Sequence, residues 1–301
     1  MNTTSAPAMP QIDGVAHRRI SVGDLDMHVA EAGSGTPVLL LHGSPLHWLE
    51  HAGVLCDLGR DHWAIAPDLR GFGWTEGPAG RLDLEAQVAD VLGLLDALDI
   101  ERVHLVVQDF SSFAGMQLAF DRRDRIASLV GLHMPHPWTR PSIALLPYAW
   151  RLWFQPVLAA PGLGPLAVRA GRQRTVRFML DFDPHPVPPE LAPVFLAGLR
   201  QPDRARSLSR LYRQLILPGM AALSRGPYDG RHLAVPTRIL VGADDVVLKA
   251  DRLGPWRGTA DDLEVRVIEG AAHYLAMARP DAVAEVVREL TAAERARDAA
   301  G

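Results

Sequence analysis

The chain reads as an α/β protein: a mainly parallel sheet with helices on both faces and a helical insertion in the middle segment of the chain. Three observations carry that reading. Short apolar runs of strand length alternate with stretches of helical periodicity. After a long segment rich in Pro, Arg and Trp, the strand pattern resumes. The residues able to do chemistry fall directly after the apolar runs, at the carboxyl ends of strands, where open α/β sheets bind their ligands.

The elements follow in order. Ile20–Val22 and Met27–Val29 predict two antiparallel strands joined near Gly23-Asp24. Val38–Leu41 and His62–Ala66 are short apolar runs, as buried parallel strands require. Between Leu82 and Leu98, Val88, Val91, Leu92, Leu95 and Leu98 fall at helical spacing with one buried face. Val103–Val107 is the fifth strand, Phe110–Phe120 a helix and Ile126–Leu132 the sixth strand. From about Pro135 to Val235 the pattern is of short helices without clear strands. Thr237–Val241 and Leu263–Ile268 then complete eight strands, and Pro280–Leu290 is a closing helix.

Composition bounds the function. With 301 residues, 48% of them hydrophobic, the chain can bury a large core and one inserted subdomain. The expected division is a core of residues 1–135 and 234–301 with a helical cap of residues 136–233. A net charge of -4, with arginines spread along the chain and Lys249 as the only lysine, gives no footprint for nucleic acid. The single cysteine, Cys56, cannot form an intrachain disulfide, which fits a reducing compartment. Met1–Gly14 has no apolar core of a secretory signal, so the cytoplasm is the expected location. Ile143–Val168 is apolar but interrupted by Pro147, Arg151, Pro156 and Pro161. It suits a lid over an apolar pocket better than a membrane span.

The loops after the strands hold the candidate site. His42-Gly43-Ser44-Pro45 follows the third strand, and its glycine before a proline-restricted turn can aim a backbone N–H into a cleft. Asp68 and Arg70, after the fourth strand, are expected to pair with each other as local scaffolding. Asp109 follows the fifth strand, where an abrupt turn into a helix would lift a side chain above the sheet. That aspartate reads equally well as a nucleophile or as a cap for the following helix. Ser111 is small enough for such an elbow, whereas Val107 departs from the small residue the turn prefers. Asp245 follows the seventh strand and His273 the eighth. Nucleophile, acid and histidine in that order, each in its own loop, is the arrangement of a catalytic triad.

These strings resemble the α/β-hydrolase superfamily and, within it, the epoxide hydrolases. The resemblance is carried by HGSP at 42–45, DLRGFGWT at 68–75, VVQDFSS at 106–112, HMPHP at 133–137, GADD at 242–245 and GAAH at 270–273. It implies an α/β-hydrolase fold with a helical cap between strands 6 and 7. It also implies that Asp109 is a nucleophile forming an ester, with His273 as the general base and Asp245 as the acid orienting it. Backbone N–H groups of Ser44 and Phe110 would form the oxyanion hole. Tyr212, followed by Arg213, resembles a cap tyrosine that protonates the opening epoxide. The family's first such tyrosine falls on Trp150, whose indole is no proton source. Ring opening then depends on Tyr212 alone or on compensation by Tyr148. Trp150, Tyr148, Trp153 and His42 are the expected pocket residues. LVGLHMPHP resembles the strand-to-cap junction usually written L-N-x-P-H-P, so His133 and His136 are read as junction residues and not as metal ligands. No metal or organic cofactor is implied. The partners expected are a small apolar epoxide and water, without nucleic acid or a membrane span; a homodimer stays open.

Other readings use the same residues. A haloalkane or haloacid dehalogenase shares the aspartate nucleophile, but Phe110 and Ser44 stand where the halide-holding Trp and Asn are usual. Fluoroacetate dehalogenases carry arginines beside the nucleophile, which Phe110 and Phe113 do not supply. A serine esterase acting through Ser112 would put bulky Phe110 where the turn needs a small residue. A ligand-binding protein on this fold would commonly lack one triad member.

Overall fold

The computed structural model describes residues 7–78, 80–140, 150–256 and 258–299. Eight strands form its sheet: β1 (Ala16–Val22), β2 (Leu25–Ala32), β3 (Pro37–Leu41), β4 (Trp63–Pro67), β5 (Val103–Gln108), β6 (Ile126–Leu132), β7 (Thr237–Gly242) and β8 (Leu263–Ile268). Their order across the sheet is β1-β2-β4-β3-β5-β6-β7-β8. β2 runs antiparallel to β1 and β4, and the remaining pairs are parallel.

Burial explains which strands were easy to read. β5, β6 and β7 are buried along their whole length, so both faces of each need apolar or paired residues. β1 lies on the sheet edge with most of its residues partly or fully exposed. It runs four residues further back than the apolar run Ile20–Val22, because its outward positions are arginine and histidine. Register Val22↔Leu25 closes the predicted turn at Gly23-Asp24.

Helices α1 (Ala52–Leu58), α2 (Leu84–Ala97) and α3 (Ser111–Asp121) cover the sheet with the closing helix, which extends from Pro280 to Asp298. Asp83 caps α2 by accepting from Ala86 N at 3.1 Å. Between β6 and β7 the described residues form short helices from Trp150 to Leu223 and add no strand to the sheet. One of these, Pro202–Leu211, passes through a π-helical turn at Tyr212–Ile216 into Leu217–Leu223. No helix among the described residues is long and apolar enough to cross a membrane.

The Asp68–Arg70 pair does not form. Arg70 instead makes a bidentate pair with Asp90 on α2, at 2.7 and 2.6 Å, and reaches Asp24 at 2.9 Å. Asp68 accepts from Trp48 N and Trp74 N and meets His28 Nδ1 at 2.7 Å. Two positions apart after a strand, the two side chains diverge, so each staples a different element.

The sheet gathers the functional loops through its register. Leu41 pairs with Val107, Gln108 with Leu132, and Gly242 with Ile268. The residues just beyond those pairs therefore sit side by side at one edge. Val107 fits next to the elbow because α3 presents Gly115 to it: a Cβ there would stand 2.7 Å from Val107 Cγ1. Gly115→Ala is therefore expected to destabilise the fold by about 1–3 kcal/mol, and Val107→Ala to recover most of that loss. A double-mutant cycle by denaturant unfolding measures the coupling, and strict additivity would refute this account.

Candidate active site

Asp109 stands at the β5–α3 junction with φ +53, a left-handed conformation that an L residue adopts only under constraint. Ser111 supplies much of that constraint. Its Oγ accepts from Gln108 N at 2.9 Å and lies within hydrogen-bond distance of the carbonyls of Leu41 and Gln108, at 3.0 and 2.8 Å. The turn lifts the Asp109 carboxylate toward the HGSP loop. Gly43 permits the approach, since a Cβ there would lie 3.0 Å from Asp109 Cβ.

Asp109 Oδ2 accepts from Ser44 N at 3.0 Å. Burial pushes the Asp109 carboxyl up, and the N–H of Ser44, the charge of His133 and the N–H of Phe110 pull it back. The two expected oxyanion donors thus both bear on this carboxylate. Below them, the buried Glu50 accepts from Gly43 N at 2.7 Å and is itself pushed up to about 8, chiefly by burial.

A cavity of about 260 Å³ opens over this edge. Ser44, Asp109, Phe110, His133 and His273 line it at the sheet, and Tyr212, Leu152, Phe154, Met179, Phe182, Ile216 and Met220 roof it. Tyr212 is 4% exposed. Burial, with Asp109 nearby, pushes its phenol well above the usual range against the pull of Ser44, so it keeps its proton. Arg140 and Arg252 line the same cavity, and Arg140 is engaged by Asp229 and by Leu223 O.

Several expected pocket residues lie elsewhere. Trp150 and Trp153 are 65% and 43% exposed and are not in the lining, because the turn and helix at Trp150–Ala159 point Leu152, Phe154 and Gln155 inward instead. His42 is fully buried behind the site, where Nε2 accepts from Leu69 N at 3.0 Å and Nδ1 meets Gly43 O at 2.9 Å. It holds the loop and does not face the cavity. Tyr148 lies outside the described residues. His136 meets Gly254 O at 3.1 Å, a structural contact as read from the junction motif.

The acid is arranged differently from the expectation. Asp245 Oδ1 accepts from Val247 N and Leu248 N, at 2.7 and 2.8 Å. Its other oxygen lies against Nδ1 of His133, not of His273. Burial works against the charged carboxylate, but His133 outweighs it and Asp245 is held at about 2. His273 Nδ1 is buried without a hydrogen-bond partner, and the ring is pushed down to about 3 by burial first and His133 second. The backbone of His273 is fixed from both sides: its N donates to Asp183 Oδ2 at 2.7 Å and its O accepts from Gln108 Nε2 at 3.1 Å.

Asp183 and Gln108 carry no sequence signal, and His133 reads from the sequence only as a junction residue. The signal for His133 was present, since it stands at the position usually held by Asn in the junction string. The donor atoms of His133, Asp245 and His273 all lie within 4.8 Å of one another. Such spacing could hold a metal ion, and within the cluster the Asp245 oxygen lies against His133.

The eight-stranded sheet with this strand order, and reactive side chains in the loops at one of its edges, define an α/β-hydrolase. Residues 38–286 match the model of the alpha/beta hydrolase family, and the chain belongs to that family. Epoxide hydrolase 1 of Siraitia grosvenorii is 29% identical over 313 residues, spanning 92% of this chain and 98% of the relative. Among solved structures, the epoxide hydrolase VrEH1 from Vigna radiata matches with a TM-score of 0.76 at 26% identity, over 94% of this chain and 99% of that one. The epoxide hydrolase CorEH, solved without ligand, matches with a TM-score of 0.79 at 23% identity, over 92% and 99%.

The pocket assignment is open to a direct check. Phe154→Ala is expected to cost about 3–5 kcal/mol of unfolding free energy, and Trp150→Ala no more than about 0.5 kcal/mol. Equal losses in denaturant unfolding would contradict the inward and outward placement of the two rings.

Proposed function

We propose that this protein is an epoxide hydrolase that forms a covalent ester on Asp109 and releases a vicinal diol. The observation that carries the reading is a carboxylate, not a hydroxyl, at the strained turn, accepting from Ser44 N and facing an apolar cavity with Tyr212. Its whole-length similarity to an epoxide hydrolase supports the same reading.

In the first step an Asp109 oxygen attacks an epoxide carbon, the ring C–O bond breaks, and the Tyr212 hydroxyl gives its proton to the leaving oxygen. In the second step His273 takes a proton from water, and the resulting hydroxide adds to the ester carbonyl. Ser44 N–H and Phe110 N–H hold the developing oxyanion, an interaction worth roughly 2.7–4 kcal/mol per donor in comparable sites. Collapse of that intermediate restores the Asp109 carboxylate and frees the diol, and the proton that His273 took from water passes to the Tyr212 phenolate, which resets both groups. An ester on Asp109 is cleaved at its own carbonyl, beside those donors, which explains why a carboxylate serves here. The segment 136–233 acts as the lid, and a small, mainly apolar epoxide is the substrate that suits its lining. The proposed location is the cytoplasm.

A dehalogenase would use the same first step on a carbon–halogen bond. The two tryptophans that could hold a halide, Trp150 and Trp153, are absent from the cavity lining, which favours the epoxide.

Two experiments test the reading. The His273→Gln variant, mixed with styrene oxide, is expected to carry one epoxide mass on the peptide containing Asp109; unmodified protein despite binding would defeat the mechanism. Tyr212→Phe is expected to lower the rate of ester formation by about 10²-fold or more, measured in a single turnover. An unchanged rate would remove the tyrosine from ring opening.

A further inference from the structure

His133 directly follows β6 with φ +48, and that turn aims its ring across the end of the sheet. Its backbone N donates to Leu240 O at 3.1 Å, which anchors it to the end of β7. The ring stacks edge-on against His273, with centroids 3.9 Å apart and planes at 69°. Asp245 Oδ1 is taken by two backbone N–H groups, and its Oδ2 lies against His133 rather than His273. His273 is left with a buried Nδ1 that has no partner.

We propose that His133 is a positioning residue of the active site, which shares Asp245 with His273 and holds that acid in the resting enzyme. The general base is complete only after the carboxylate has passed from one imidazole to the other. The inference rests on the two-step reaction proposed above. It adds a residue that the resemblance assigns to no catalytic role.

The charge balance gives the handover a direction. Four groups face His133 from four elements: Asp109 from the β5–α3 turn, Asp183 from the segment between β6 and β7, Asp245 from the loop after β7 and His273 from the loop after β8. Burial disfavours a charged His133 ring, but Asp245, Asp109 and Asp183 together raise it above the ordinary histidine value. With its proton, His133 helps keep Asp109 ionised for attack, while its charge and its hold on Asp245 lower the basicity of His273. Ester formation removes the Asp109 charge, so one of the groups retaining the proton on His133 is lost. When His133 then releases its proton to solvent, Asp245 is freed, and His273 Nδ1–H can donate to it while Nε2 takes a proton from water. Hydrolysis of the ester therefore speeds up as pH rises through the His133 titration, and ester formation is favoured below it.

The test compares the wild type with His133→Asn and His133→Gln, two neutral side chains of different reach. Histidine ¹⁵N NMR of the free protein, with His273→Gln to identify that ring, reads the sharing without any substrate. In the wild type a protonated His133 and a neutral His273 are expected at neutral pH, and in either variant the His273 titration should move upward by about one unit or more. An unmoved His273 titration in both folded variants overturns the proposal, whatever the enzyme does with epoxides. With styrene oxide, quenched-flow mass spectrometry separates the half-reactions. Ester hydrolysis in the variants should be about tenfold faster at low pH and converge on the wild type at high pH, while ester formation slows. Equal changes in both half-reactions, with no change in pH profile, would also overturn it. A wild type that forms no ester at all would count against the epoxide reading, and the NMR result would still decide the sharing of Asp245.

Discussion

The left-handed backbone at Asp109 is the constraint on which the site depends. A non-glycine residue in that conformation costs about 1–3 kcal/mol, so the surrounding structure has to over-determine it. Ser111 Oγ binds the strand before the turn and the neighbouring β3 through Gln108 and Leu41. Gly43 yields space on one side, and Gly115 accepts Val107 on the other. An ordinary helix cap would point its carboxylate back at its own helix. Here Asp109 Oδ2 meets Ser44 N, on a loop 65 residues earlier in the chain. That long-range bond is not one that a local helix cap would make.

Once the carboxylate is lifted into an apolar enclosure, electrostatics decides the rest. Burial raises Asp109 and Asp183 and depresses His273. Backbone N–H groups and the imidazole of His133 oppose burial at the two carboxyls, and Asp245 opposes it at His273. Three carboxylates and two imidazoles thus share an environment in which no charge is cheaply solvated. Asp245, with both oxygens engaged, is the most strongly stabilised of the anions. Tyr274, fully enclosed, donates to Met179 O at 2.5 Å and so ties the loop after β8 to the helical segment above it.

How far the sequence could be read follows from how local each feature is. Buried strands such as β5 and β6 are continuous apolar runs, so their composition declares them. Edge strand β1 was read short, because its exposed arginines interrupt the pattern while its hydrogen bonds continue. Asp109, His273 and Tyr212 were legible from position relative to strands and from family strings, and all three line one cavity. Trp150 and Trp153 were misread because hydrophobicity does not report helix phase: Leu152 and Phe154 turn inward and the two indoles turn out. His42 carries the right motif, but a buried hydrogen bond to Leu69 uses its ring. Asp68 and Arg70 were paired by proximity in sequence, whereas their charges are matched across the fold.

The amino-acid sequence by itself determined the α/β class, the succession of strands and helices along the chain, the helical insertion in its middle and the identity of the groups in each loop. Strand periodicity and turn chemistry act over a few residues and leave their mark there. Tertiary structure alone decided which imidazole meets Asp245. Asp245 and His133 are 112 positions apart, and they meet because β6 and β7 are hydrogen-bonded neighbours, with Leu132 at the end of β6 opposite Leu240 near the end of β7. No local pattern carries that information, since the contact is made by the sheet and not by the chain.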